Sequence, residues 1–188
     1  MVGGTRGTDE EYFLPHFRPL IIDFCRVPGI HLQADLHWLP LRNGVLDGAM
    51  VQGVIDNVES PPAAVAELFR TIRPGGALYT NDAFLQAEHP QPVDLQRFSQ
   101  GGWRHLLRDF EIREMGASVG PFGAIYLLVL HVINRMIPNP HTRYVTWFVW
   151  GHLFRWLLWV DGRNVRHAWA NYGAAAIYSL CIRPEKKG

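Results

Sequence analysis

A chain of 188 residues, 48% hydrophobic and 19% charged, has enough apolar surface to offset its ordering entropy, which excludes a disordered polymer. Its two cysteines, Cys25 and Cys181, exclude a disulfide framework and a four-cysteine zinc site. The net charge of +1 is unevenly spread: residues 1–114 sum to −5, and residues 115–188, with 12 of the 23 aromatic residues, sum to +6.

An acidic first part and a basic, aromatic second part suit a polyanion or a membrane surface as neighbour. No secretory signal opens the sequence, so a reducing cytoplasm with both thiols free is the expected setting.

The predicted elements alternate. Gly3-Gly4-Thr5-Arg6-Gly7 reads as a strand-end glycine cluster, and Thr8 with Glu11 forms a capping box that starts a short helix. Leu20–Phe24 is a short apolar run between prolines and reads as a buried strand. Ile30–Asp35 alternates and reads as another, and Leu46–Val51 as a third. Pro61-Pro62 opens a helix whose Val65, Leu68, Phe69 and Ile72 fall at helical spacing, and Pro74-Gly75-Gly76 stops it. Ala77–Asn81 is the next strand, Asp94–Phe110 a helix and Glu111–Met115 a short strand. Two apolar helices follow, and Ala174–Ile182 closes the chain as a strand. This order predicts a single α/β domain over 1–188, doubly wound around a mostly parallel sheet. Residues 117–172 form a helical insertion in it, before the last strand.

The two apolar stretches, Phe122–Ile137 and Tyr144–Val160, are 16 and 17 residues long. A spanning helix needs about 20 apolar residues. In the first, His131, Asn134 and Arg135 share one face, which makes it amphipathic. The second is apolar nearly all round and holds Trp147, Trp150, Trp156 and Trp159. Buried core or a lid is the first expectation. The stretch 122–160 also admits a peripheral membrane contact or a second copy of the chain.

Three successive strand ends carry groups that suit a nucleotide-like ligand. Glycines at Gly3, Gly4 and Gly7 let backbone N–H groups approach a ligand closely. Asp23, 20 residues after Gly3, suits the two hydroxyls of a ribose. Asp35, with aliphatic Leu36 beside it, suits an adenine amino group and ring face.

The segment Ala34-Asp35-Leu36-His37-Trp38-Leu39-Pro40-Leu41 resembles the "A-D-A-x-x-L-P-F" segment of class I S-adenosylmethionine-dependent methyltransferases, of the type 11 kind. Leu46–Val58 resembles that family's "F-D-x-V-x-x-x-x-V-L-E-H-V", and Glu67–Gly76 its "E-x-x-R-V-L-K-P-G-G". The likeness covers roughly residues 2–116, with Ala174–Ile182 as the matching last strand. It implies a Rossmann-like fold and S-adenosyl-L-methionine as cofactor. Gly3, Gly4 and Gly7 would wrap the methionine part, Asp23 the ribose, and Asp35 and Leu36 the adenine. Gln52 would border the methyl group. Met1 stands where the family has an acidic residue, Thr5 replaces the middle glycine, and the preceding helix is missing. The chain thus resembles a member shortened at its N-terminus.

A second run, Phe84–Pro90 with Asp94 and Arg97-Phe98, resembles an "F-x-x-x-x-H-x-x-x-x-D-x-x-R-F/Y-T" signature of a subset of these enzymes. There His89 would act as general base and Asp94 would orient it. The plainer expectation is that both cap the helix, with Arg97 paired to Asp94. No metal-ligand spacing and no nucleic-acid motif is present. The expected function is methyl transfer to a small-molecule acceptor, lipophilic, lipid-linked or glycan in keeping with the aromatic insertion. An inactive protein of the same fold, serving as an interaction or membrane-docking module, is the alternative. A nicotinamide dehydrogenase is disfavoured, because no Tyr-x-x-x-Lys pair occurs.

Overall fold

The computed structural model describes residues 18–26, 28–88 and 93–185, so the helix expected at Thr8 lies outside the described residues. Strands β1 (Ile22–Asp23) and β2 (Leu32–Gln33) form a parallel pair. A four-stranded sheet runs in the order β3-β4-β6-β5, with β3 at Leu46–Gln52, β4 at Ile72–Ala83, β5 at Glu111–Val119 and β6 at Ala176–Ile182. β3 and β4 are parallel. β6 runs against β4, because Gly75 and Gly76 bond Arg183 whereas Phe84 bonds Ala175. The sheet is therefore mixed at its closing strand. The buried hydroxyls of Thr80 and Ser179, 2.6 Å apart, tie β4 to β6.

The helix expected after Pro61 forms as α1, Pro61–Thr71. Ala64, Val65, Leu68 and Thr71 fall on one face and are buried. Its last carbonyls have no helical partners, and Arg183 supplies them: its guanidinium donates to the Arg70 and Ile72 carbonyls. The same group lies 4.5 Å over the Phe69 ring, which meets Phe110 edge-on at 5.1 Å. The expected stop at Pro74-Gly75-Gly76 is instead part of a longer strand. Register is interrupted between Leu46 and Gly48, and Gly75 adopts φ +75°. A Cβ on Gly76 would come within 2.9 Å of the Ile72 side chain and two carbonyl oxygens, so only glycine fits this bulge.

The helix expected over Asp94–Phe110 is confined to α2, Gln100–Leu106. Upstream, the Leu95 and Gln96 N–H groups donate to the Asp56 carbonyl, and the Gln96 side chain to the Val58 carbonyl. Those bonds hold the segment out of a helix. Ser99, itself extended, starts the helix by accepting from Gly102 N–H at 3.2 Å. Ser99→Ala is expected to lower stability by about 1 kcal/mol in urea unfolding, with no change in slope.

The chain divides into two compact units. Unit 1 comprises residues 1–82, 95–115 and 179–188; its interior holds Val51, Ile55, Leu68, Ile72, Leu78 and Trp103. Unit 2 comprises residues 83–94 and 116–178. Its helices are α3 (Pro121–Met136), α4 (Pro140–Leu153) and α5 (Trp156–Asn164), followed by a 3-10 segment, Ala168–Gly173.

The single apolar helix expected over Tyr144–Val160 is two helices. Asn139 moves the start of α4 back to Pro140 by accepting from the His141 and Thr142 N–H groups. Around Phe154 and Arg155 the bonds tighten to i→i+3, which breaks the run before Trp156. The Tyr126 hydroxyl donates to the Gly151 carbonyl, and the Trp150 indole to the Tyr126 carbonyl, fastening α4 to α3. Even so, α4 buries none of its residues, against the expectation of a buried core.

Candidate functional site

In an open α/β sheet, ligands gather outside the carboxyl ends of the parallel strands. In unit 1 those ends carry Asp23 on β1, Asp35 just past β2, Gln52 on β3 and Asp82 near the end of β4.

Asp35 is the best-defined of them. Its Oδ1 accepts from the His37 backbone N–H at 2.9 Å and meets His37 Nδ1 at 2.6 Å. His37 Nε2 accepts from Ser60 N–H, so Nδ1 carries the ring proton and donates to Asp35. The His37 backbone bond, chiefly, holds the Asp35 carboxyl below its usual range, against a smaller cost of burial. The carboxylate is thus kept charged while 44% of its side chain stays exposed. Leu36 is buried. The loop beyond is anchored to α1: Glu67 accepts from Leu39 N–H at 2.7 Å, and Arg70 donates to Glu67 and to the Leu39 and Leu41 carbonyls.

Asp23 is half-buried, and its Oδ1 accepts from Cys25 N–H at 2.8 Å, a local turn at the end of β1. Gln52 pairs in register with Asn81. After it the chain turns through Gly53, whose φ of +61° suits glycine and whose carbonyl accepts from the Asn57 side chain.

Next to this turn lies a pair the sequence reading passed over. Asp82 and Asp56 are both almost fully buried. Asp82 Oδ1 accepts from the Val54 and Ile55 N–H groups at 2.9 and 3.0 Å, and the buried Asp56 carboxyl is close enough to act on it. Arg97 Nη1 stands 3.5 Å from Asp56 Oδ2. Burial first, then the charge of Asp56, pushes Asp82 up to about 7. The Asp82 carboxyl therefore keeps its proton through mildly acidic pH and loses it around neutrality. The clue available in sequence was two acids just past the ends of adjacent strands, at 56 and 82.

Gly3, Gly4, Gly7 and His89 lie outside the described residues. Asp94 is described, half-buried, in unit 2. The structure thus brings Asp35, Leu36, Asp23 and Gln52 to strand ends of unit 1, together with the Asp56–Asp82 pair. No group of three or more His, Cys, Asp or Glu residues among the described residues is arranged to hold a metal.

Residues 18–80 match the family model described as "Methyltransferase domain". An uncharacterized 37.1 kDa protein in transposon Tn4556 of Streptomyces fradiae is 40% identical over 53 residues. That stretch is 28% of this chain and 15% of the relative, so the chain matches only a small part of that protein's length. A Galdieria sulphuraria structure, ascribed to a sarcosine dimethylglycine methyltransferase, superposes with a TM-score of 0.61 at 14% identity. The match covers 97% of this chain and 77% of that one. A structure from Bacillus halodurans C-125, ascribed to a methyltransferase, gives a TM-score of 0.58 at 14% identity, covering 98% and 90%. The chain thus has the α/β fold of these methyltransferase structures, and its residues 18–80, which hold Asp23, Asp35 and Gln52, match a methyltransferase-domain model.

Proposed function

We propose that the chain binds S-adenosyl-L-methionine at the carboxyl ends of its parallel strands and directs methyl transfer to a small-molecule acceptor. The observation that carries this reading is Asp35: a carboxylate held charged and oriented by His37, yet nearly half exposed. Such a group fits the hydrogen-bond donors of an adenine amino group or a ribose. It sits within the family's matched span.

In this reading Asp35 and Leu36 hold the adenine end, Asp23 accepts from the ribose hydroxyls, and Gly3, Gly4 and Gly7 take the methionine end. Gln52 borders the transferred methyl. The bound sulfonium supplies an already activated methyl group, so the chain's own work is position and exclusion of water. The Asp82 carboxyl, by accepting from Val54 and Ile55 N–H, fixes the turn that follows Gln52. His89 takes the acceptor's proton, with Asp94 orienting it. The aromatic composition of residues 117–172 favours a lipophilic, lipid-linked or glycan acceptor.

Titration calorimetry with S-adenosylhomocysteine tests the cofactor half directly. Asp35→Asn and Asp23→Ala are each expected to weaken binding tenfold or more, since a hydrogen bond to a charged group contributes about 1.5–3 kcal/mol. Thermal melts of both variants check that they fold. Wild-type affinity in both variants would remove these strand ends from the cofactor site.

A further inference from the structure

We propose that the helices of unit 2 form a docking face for an anionic lipid surface. The inference does not depend on methyl transfer.

An apolar helix in a water-soluble unit ordinarily buries one face. α4 does not: Tyr144, Val145, Trp147, Phe148, Val149 and Leu153 are all exposed. α3 adds a stripe, with Ile125, Leu128, Val132 and Met136 at i, i+3, i+7 and i+11, all exposed. Trp156 and Trp159 on α5 are more than half exposed. This is far more apolar surface than singly scattered residues produce.

Charge selects the occupant. Residues 120–173 contain five arginines, at 135, 143, 155, 163 and 166, and one acid, Asp161. Asp161 is buried and accepts from the Phe122 and Gly123 N–H groups. Every exposed formal charge on these helices is therefore positive. A second copy would bring arginine against arginine with no acid to pair it. An anionic lipid surface supplies the missing charge along with the apolar phase. Tryptophan, tyrosine and arginine together suit the headgroup level, and the Arg163 guanidinium lies 4.2 Å from the Trp159 ring centre. No helix among the described residues is long and apolar enough to cross a membrane, so the face lies in the interface plane.

The test is co-sedimentation of the full chain with vesicles of phosphatidylcholine alone, or of phosphatidylcholine and phosphatidylglycerol in equal parts. Binding is expected only to the anionic vesicles, weaker at high salt, with a blue shift of tryptophan emission. Arg143→Glu and Arg155→Glu should each cost fivefold or more in vesicle affinity. The double variant Trp147→Ser/Trp159→Ser should abolish the binding and most of the blue shift. These side chains are exposed, so circular dichroism should be unchanged. No sedimentation with either vesicle would overturn the proposal. So would equal, salt-insensitive binding to both, or a dimer in analytical ultracentrifugation that the tryptophan variant dissolves.

Discussion

Replacing Asp82 with leucine is expected to lower the stability of unit 1 by about 2–5 kcal/mol, whereas Asp82→Asn should be tolerated. The Asp82 carboxyl is the acceptor for the Val54 and Ile55 N–H groups, and both carboxyls of the pair are buried. Leucine leaves two N–H groups without their acceptor, at about 1–3 kcal/mol each where water cannot reach them. It also removes the polar neighbour of the buried Asp56 carboxyl, leaving that group to Arg97. Asparagine keeps an oxygen for the N–H groups and offers an N–H₂ to Asp56. The two variants also separate in pH dependence. The folded Asp82 titrates near 7, against an ordinary value of 3.8. Between those values the unfolded chain has lost its proton and the folded chain has kept it. Stability is then highest below about pH 4, falls as pH rises toward 7, and levels off above. Asp35 and Glu67, whose carboxyls are held below their ordinary range, change in the opposite sense at lower pH. The measurement is therefore the difference between wild type and Asp82→Asn in urea unfolding at pH 5 and pH 8. Wild type should lose stability relative to the variant by up to a few kcal/mol across that window. Equal differences at both pH values would mean that Asp82 is not held protonated in the folded chain between those pH values.

What could be read from the sequence follows from what each element depends on. α1 was legible because its signals are local: prolines at the start, then Ala64, Val65, Leu68 and Thr71 on one face. β3 and the closing strand were legible for the same reason, and the order of motifs pointed to the family that the match over residues 18–80 supports. Leu95–Ser99 was not, because its apolar spacing is helical while its backbone bonds go to the Asp56 carbonyl, 39 residues away. The Gly76 bulge is set by the Ile72 side chain and the Asp47 carbonyl, which only strand pairing brings together. The Asp56–Asp82 pair has the same cause: 26 residues apart in sequence, the two acids meet only because β3 and β4 are neighbours. The tryptophan-rich stretch failed in another way. Apolarity alone cannot tell a helix that is covered from one that is exposed, and α4 buries none of its residues.

Asp161→Ala is expected to destabilise unit 2 by about 2–5 kcal/mol, and the reason lies at the other end of its contact. α3 begins Pro121-Phe122-Gly123, so its first turn has N–H groups without helical partners. Gly120, at the N-cap position, has no side chain to offer them. Asp161, reaching over from α5, accepts from Phe122 N–H at 3.3 Å and from Gly123 N–H. Its negative charge also faces the positive end of the α3 dipole. A cap supplied from 38 residues away in sequence needs room, and the glycines provide it. A Cβ on Gly123 would lie 2.8 Å from Asp161 Oδ2 and 2.5 Å from Val119 Cγ1; one on Gly120 would lie 2.5 Å from Asp161 Oδ1. Gly123→Ala should therefore be nearly as harmful as Asp161→Ala, although alanine is ordinarily the better helix former by about 1 kcal/mol. Adding Gly123→Ala to Asp161→Ala should cost less than it does in wild type, because the clash with the carboxylate is gone. Amide exchange across Pro121–Met136 reads the effect where it arises, and should accelerate tenfold or more in either single variant. Exchange at the wild-type rate in Asp161→Ala would mean that the carboxylate touches the start of α3 without holding it.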